Sequence, residues 1–265
     1  MNRYEIVFTD IDGTFLNSEH ELTSRMKDAV RRVVKLNIPF VLASSRMPEA
    51  IFPILAMAQL IQPVICYGGG LILDENGNEL YSRAMSSETA CRVGNYIEEN
   101  FRQITWNAYS DHKWLCASPK SAQVRQEEKI TGIKSRAGKL GEVKTWKKVH
   151  KLLCMGDARS ISSLQEHCTL QFPDLLICKS SDTYLEITAP SVSKGEALEA
   201  LCRIKGISTA GALAFGDNYN DLDMLMKAGT GYAMANAPEE IQKIVGNTAP
   251  DNDHDGIACV LEKLF

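Results

Sequence analysis

Hydrophobic positions along this chain fall into short unbroken runs separated by amphipathic stretches. The first run, Tyr4, Ile6, Val7 and Phe8, stops at Asp10-Ile11-Asp12-Gly13. Apolar runs of this length, bounded by turn formers, predict strands buried on both faces. After Thr23-Ser24, apolar residues recur at 26, 29, 30, 33 and 34, which predicts an amphipathic helix with a hydroxyl cap. Asn37-Ile38-Pro39 breaks that helix, and Phe40-Val41-Leu42-Ala43 predicts a second buried strand, ending in Ser44-Ser45-Arg46. A helix over about Met47 to Leu60 leads to a third strand, Pro63 to Tyr67, which ends in Gly68-Gly69-Gly70. Leu71 to Leu73 and Glu79 to Tyr81 then read as a hairpin around Asn76-Gly77. Strands alternating with helices predict a doubly wound, mostly parallel α/β sheet.

From about Ser82 the rhythm changes. A helix near Ser87 to Phe101 precedes two strands, 103–109 and 113–117, and a helix near 121–131. The basic, Gly-containing stretch 134–148 reads as a loop. A strand over Val149 to Met155, a helix over 158–168 and strands at 175–179 and 183–188 follow. Paired strands beside helices predict a separate α+β domain. The first rhythm then resumes, with a helix from Lys194-Gly195, a strand at Ala212 to Phe215 and a strand at Thr230 to Met234. Helices at 221–227, 238–245 and 256–264 complete it. The expected organisation is a core domain built from residues 1–82 and 190–265, interrupted by an inserted domain at 83–189.

Composition narrows the class without changing this picture. The 265 residues suffice for two modest domains, and 45% hydrophobic with 23% charged residues is ordinary for a globular protein. A net charge of −4 argues against a nucleic-acid surface, which needs a basic stripe. The eight cysteines form no Cys-x-x-Cys pair and lie mostly in apolar runs such as Val64-Ile65-Cys66, so they read as buried thiols. His112 with Cys116, or His150 with Cys154, is a weak zinc pattern. No signal peptide or membrane-spanning run is expected, and a reducing cytoplasm fits the cysteine usage. Small molecules, rather than nucleic acid or membrane, are the expected partners, to a monomer or homodimer.

Candidate chemistry sits where strands end. Asp10 and Asp12 follow the first strand at the carboxyl edge of the predicted sheet, where open α/β sheets bind ligands. Two carboxylates packed there repel one another, and a hard divalent cation is the usual remedy. Asp10 is therefore a candidate nucleophile and metal ligand, and Asp12 a candidate acid/base. An EF-hand loop is the competing reading, but Asp-x-Asp-Gly-Thr lacks its further oxygen ligands and closing Glu. Gly216-Asp217-Asn218-Tyr219-Asn220-Asp221 ends another apolar strand. Asp217 and Asp221, one helical turn apart, can face one spot and supply further carboxylates. Asn220 offers an amide donor to a phosphate. Ser44 offers a hydroxyl and neighbouring N–H groups near a helix start, an anion site by geometry and dipole. Lys194 stands at a helix start, where a cation is unfavourable unless an anion is near.

Taken in order, Asp10-x-Asp12-Gly13-Thr14, Ser44, Lys194 and Gly216-Asp217-x-x-Asn220-Asp221 resemble the four motifs of the haloacid dehalogenase (HAD) superfamily of phosphatases. The insertion before Lys194, with Tyr184-Leu185-Glu186-Ile187 preceding Ser193-Lys194-Gly195, resembles the Cof-type subfamily with a type IIB (C2B) cap. Met234-Ala235-Asn236-Ala237 and Asp253-x-Asp255-Gly256 resemble it as well. The resemblance implies a Rossmann-like core and a Mg²⁺-dependent phosphatase of small phosphorylated metabolites such as sugar phosphates. Asp10 would form an aspartyl-phosphate, with Asp12 as general acid/base. Asp10, the Asp12 carbonyl, Asp217 and Asp221 would serve the metal, while Ser44, Ser45, Lys194 and Asn220 would bind the phosphate. The cap would choose the substrate, with Trp114, His112, Asp157 and Arg159 as candidates to line it. Two departures stand out. Ser44-Ser45-Arg46 replaces the common Thr-Gly-Arg and keeps its hydroxyl, whereas Gly68-Gly69 replaces Asn-Gly and loses a side-chain amide.

Rival readings are a sugar phosphomutase of the same fold, a non-catalytic binder of phosphorylated metabolites, and a signalling receiver domain. The receiver is disfavoured by chain length and by Asp12 lying two residues after Asp10 on one strand end.

Overall fold

The computed structural model describes residues 4–265; residues 1–3 of the expected 1–82 segment lie outside the described residues. The opening stretch carries β1 (Ile6–Thr9), α1 (Ser24–Lys35), β2 (Phe40–Ala43), α2 (Pro48–Ala58), β3 (Val64–Cys66), β4 (Leu71–Leu73) and β5 (Glu79–Ser82). The middle stretch runs α3 (Ser87–Asn100), β6 (Thr105–Ser110), β7 (Lys113–Cys116), α4 (Ala122–Thr131), β8 (Arg136–Ala137) and α5 (Leu140–Val143). It continues with β9 (Lys151–Met155), α6 (Ala158–Gln171), β10 (Leu176–Ser181) and β11 (Tyr184–Thr188). The closing stretch adds α7 (Lys194–Lys205), β12 (Ala212–Gly216), α8 (Leu222–Lys227), β13 (Thr230–Met234), α9 (Glu239–Val245), β14 (Thr248–Ala249) and α10 (Gly256–Leu264). The chain divides into two compact units. One comprises the residues up to Arg46, Ile51–Ser82 and Ser193–Phe265; the other comprises Arg83–Val192 with Met47–Ala50.

In the first unit a single sheet runs β14-β13-β12-β1-β2-β3-β4-β5. The strands from β14 to β3 pair in parallel, and β4 and β5 fold back antiparallel. The fold is therefore α/β with a mostly parallel sheet. Alternation along β1 sends Ile6 and Phe8 into a cluster with Leu198 and Leu201 of α7, while Val7 is equally buried on the other face. That two-sided burial is why these strands read as continuous apolar runs. Truncating Phe8 to Ala would remove about 3–5 kcal/mol of stability. Helix starts follow the expected chemistry: the Thr23 hydroxyl accepts from Met26 N–H at α1, and Ser193 accepts from Glu196 N–H at α7.

The second unit is built on a six-stranded sheet ordered β10-β11-β9-β6-β7-β8. All its pairs are antiparallel except β7 with β8. One face, with Trp106, Ala108, Leu115, Leu152, Cys154 and Ile187, packs on Val93 and Ile97 of α3 and Ile161 and Leu164 of α6. Successive side chains alternate across the sheet, so Asn107, Tyr109, Lys151 and Glu186 lie on the other face. The expected loop at 134–148 is not a plain loop. It holds β8 and α5, whose Leu140 and Val143 are buried against this core. α5 approaches α3 at Gly94, where a Cβ would meet the Leu140 side chain at 2.4 Å. Elements of two and four residues are too short to show a period.

Candidate active site

Three neighbouring parallel strands, β12, β1 and β2, end at the same edge. Thr9 stands beside Phe215 on one side and Leu42 on the other, so Asp10, Asp217 and Ser44 emerge from adjacent strand ends. The Asp10 N–H donates to the Phe215 carbonyl (3.0 Å), continuing the ladder by one residue and anchoring the carboxylate-bearing backbone. Asp10 is 7% exposed, Lys194 1%, and Asp221 fully buried.

Lys194, from the first turn of α7, donates from Nζ to Asp10 Oδ1 and to Asp221 Oδ1, the latter at 2.5 Å. The other Asp221 oxygen accepts the N–H groups of Asp217 (3.1 Å) and Asn218 (3.0 Å), which fixes its carboxylate beneath the turn. Asp217 accepts from the buried Thr14 hydroxyl at 2.6 Å. The chain passes so close here that a Cβ at Gly13 would lie 2.5 Å from Asp217 Oδ2, and Gly13 has φ +80°. Glycine is required twice over.

Asp10, Asp217 and Asp221 each offer an oxygen within 4.8 Å of the others, and among the described residues no other His, Cys, Asp or Glu cluster has such spacing. His112 and Cys116, and His150 and Cys154, form none. Burial pushes the Asp10 carboxyl well above its ordinary range; Lys194 offsets only part of this, and Asp221 adds repulsion. Burial likewise lifts Asp217 to about 6, against the pull of the Thr14 hydrogen bond and with help from Asp221. Burial alone would lower Lys194, but Asp10 and Asp221 outweigh it and hold the ammonium charged. One lysine thus faces three carboxylates.

Asp12 goes elsewhere. Its carboxylate lies in the fork of Arg46, Nε to Oδ2 at 2.9 Å and Nη2 to Oδ1 at 2.6 Å, with His20 Nδ1 at 3.5 Å. Its side chain is not part of the three-carboxylate group. Ser44 is buried, but its N–H is used by the Ile65 carbonyl (2.9 Å), and its Oγ accepts from Arg46 N–H (3.2 Å). The Ser44 N–H is thus spent within the sheet, and what Ser44 itself can offer an anion is its hydroxyl proton. Ser45 is half-buried beside it, and Asn220 is exposed on the turn Tyr219–Asp221. In the second unit Trp114 is buried, stacked on Tyr109 with centroids 5.3 Å apart, and Asp157 caps α6 through Ser160 N–H at 3.0 Å.

A family profile described as haloacid dehalogenase-like hydrolase matches residues 7–261. The chain belongs to the haloacid dehalogenase-like hydrolases. A Haemophilus influenzae protein named "Putative phosphatase" is 32% identical over 262 residues, covering 99% of this chain and 98% of its own. The 5-amino-6-(5-phospho-D-ribitylamino)uracil phosphatase of Bacillus subtilis is 27% identical, covering 97% of this chain and 96% of its own. Among solved structures, a haloacid dehalogenase-like hydrolase from Bacteroides thetaiotaomicron superposes with a TM-score of 0.91 at 25% identity, covering 99% of this chain and all of that one. The chain is accordingly a Cof-type member of the haloacid dehalogenase-like hydrolases, an enzyme acting on phosphoric monoesters. Enzymes of this family generally use a divalent metal, and an all-carboxylate donor set suits a hard cation.

Arg46, Thr14 and Asn236 enter through the fold, with no role marked in the sequence pattern. Arg46 was visible two residues after Ser44, but nothing local tells an arginine that it will meet a carboxylate 34 positions away.

Proposed function

We propose that this haloacid dehalogenase-like hydrolase is a Mg²⁺-dependent phosphatase of small phosphorylated metabolites, sugar phosphates or similar monoesters, working in the cytoplasm through an aspartyl-phosphate on Asp10. What supports this reading is the convergence of Asp10, Asp217 and Asp221 on a single buried lysine at one sheet edge. Two buried carboxylates and a half-buried one with a single cation are under-neutralised, and a divalent ion would correct the balance. Asp10, Asp217 and Asp221 would hold it, with the Asp12 carbonyl. The ion supplies charge neutralisation of the phosphoryl oxygens and of the attacking carboxylate.

Asp10 attacks phosphorus through a carboxylate oxygen, and the bond from phosphorus to the ester oxygen breaks. Asp12, out of the Arg46 fork and carrying a proton, delivers it to that departing oxygen, so the alcohol leaves neutral. Asp12, now ionised, takes a proton from water, whose oxygen attacks phosphorus and expels the Asp10 carboxylate. Both carboxyls return to their starting states, and inorganic phosphate leaves. Lys194, the Ser44 hydroxyl, the Ser45 N–H and the Asn220 amide orient and neutralise the phosphoryl oxygens. The eight free thiols accord with a reducing compartment.

The test is phosphate release from a panel of sugar, polyol and nucleotide-like monoesters, with and without Mg²⁺, beside Asp10→Asn. Metal-dependent release in the parent, lost by about 10⁴-fold in the variant, is expected for removal of a nucleophile. Undiminished Mg²⁺-dependent turnover in Asp10→Asn would sink the assignment. Silence across the panel, with release appearing only when a sugar bisphosphate is supplied, would favour a mutase.

A further inference from the structure

The two tail motifs, Asn236 and the run Asp251-Asn252-Asp253-His254-Asp255-Gly256, have no part in the chemistry above. Their acid spacing imitates the start of a calcium loop, yet each carboxylate is already engaged. Asp251 accepts from His254 N–H (2.9 Å), Asp253 from Ser18 N–H (2.8 Å) and Asp255 from the Thr23 hydroxyl (2.5 Å). What these segments reach is the loop that follows Asp10. The Asn236 amide donates from Nδ2 to the Gly13 carbonyl at 2.8 Å, and the buried Asn252 donates from Nδ2 to the Leu16 carbonyl at 2.9 Å. The two residues are themselves linked, the main-chain N–H of Asn252 donating to Asn236 Oδ1 at 3.2 Å. Between the two held carbonyls lies Thr14, whose hydroxyl orients Asp217.

We infer that Asn236 and Asn252 form a clamp that fixes the Gly13–Leu16 backbone, so that Thr14 presents the Asp217 carboxylate towards Asp10 and Asp221 for the divalent ion. They are positioning residues, acting through Gly13 and Thr14. Gly13, with φ +80° and no Cβ, has little stiffness of its own, and its carbonyl is the point where the clamp grips. This rests on the metal-dependent reading above. An outer-shell partner that orients a ligand governs metal affinity without touching the metal.

Titration calorimetry of Mg²⁺ into the full chain, without substrate, tests it. Asn236→Ala, at an exposed position, should raise the Mg²⁺ dissociation constant about tenfold, at the low end of such outer-shell losses. Thr14→Val should do the same, and the double variant should be little worse than either single one, since both act on one path. Asp253→Ala, which removes the Ser18 bond two residues beyond the clamped Gly13–Leu16 backbone, should change affinity by less than about twofold. Unchanged Mg²⁺ affinity in Asn236→Ala, fully additive effects in the double variant, or a lower metal-free Tm with intact affinity would each overturn the clamp. Parent protein that takes up no Mg²⁺ would overturn the metal reading and the clamp with it, and that failure is recognised before any variant is made.

Discussion

Both units bury a lysine against carboxylates, and they do so differently. In the inserted unit Lys151 pairs with Glu186 at 3.1 Å and lies 5.5 Å from the Tyr109 ring centroid, one cation against one anion on a packed aromatic surface. At the edge of the large sheet, Lys194 meets Asp10 and Asp221, with Asp217 alongside. In the first, the Glu186 carboxylate answers the Lys151 ammonium. The second carries surplus negative charge in a place where charge is expensive. Folding alone gives no reason to keep such an excess, so the imbalance, more than the burial, separates a reactive site from a structural pair.

Removing each lysine in turn should separate the two arrangements most strongly. Lys194→Met leaves two buried carboxylates facing each other. It should destabilise the metal-free protein by about 3–5 kcal/mol in urea titrations at neutral pH. Saturating Mg²⁺ should return part of that, about 2.7 kcal/mol at a hundredfold excess over Kd. Lys151→Met alone should also destabilise, but Lys151→Met combined with Glu186→Leu should return to within about 1 kcal/mol of the parent, because a balanced pair can be exchanged for apolar packing. If the double change is as damaging as the single one, Lys151 and Glu186 serve more than each other.

A smaller effect concerns Asp12. Arg46→Met should lower turnover about tenfold for alkyl phosphates and less for an activated aryl phosphate, since only a poor leaving group depends on a well-placed acid. An equal loss on both would show that Arg46 acts on phosphate binding instead. Smallest is the response to pH. Asp217, lifted to about 6 by burial, holds a proton in the folded chain between about pH 4 and 6 that the unfolded chain has already released. Its contribution to stability is therefore lost as pH rises through that window in metal-free protein, and the Asp10 carboxyl, raised to about 8, extends the loss in the same direction. Mg²⁺ replaces the proton and should flatten or reverse the trend in thermal melts.

Much of the large sheet was legible because its strands are buried on both faces, and continuous runs such as Phe40-Val41-Leu42-Ala43 have few other uses. The acids and Lys194 were legible because each stands where an apolar run stops or a helix starts, a place definable by counting along the chain. Other features were hidden for different reasons. The Arg46 fork on Asp12 and the Asn236 grip on Gly13 join positions 34 and 223 residues apart, and no local pattern marks either partner. The engaged N–H of Ser44 depends on β3 lying alongside, which a strand end viewed alone does not reveal. In the inserted unit β8 and α5 are shorter than any period that could announce them.

The glycines after β3 carry a consequence for how this edge can change. At Gly69, φ +112°, a Cβ would fall 2.1 Å from the Ser193 carbonyl, so the backbone there is a fixed joint against the residue that caps the helix of Lys194. Gly68, one step earlier, has φ +65° and ψ 19° with nothing within 4 Å of where its Cβ would be. Asparagine tolerates that left-handed geometry better than other residues with side chains. The two neighbours thus have opposite evolutionary freedom. One is locked, while the other is an open socket through which a descendant of this chain could acquire a polar group beside the strand end of Ser44 without disturbing its frame.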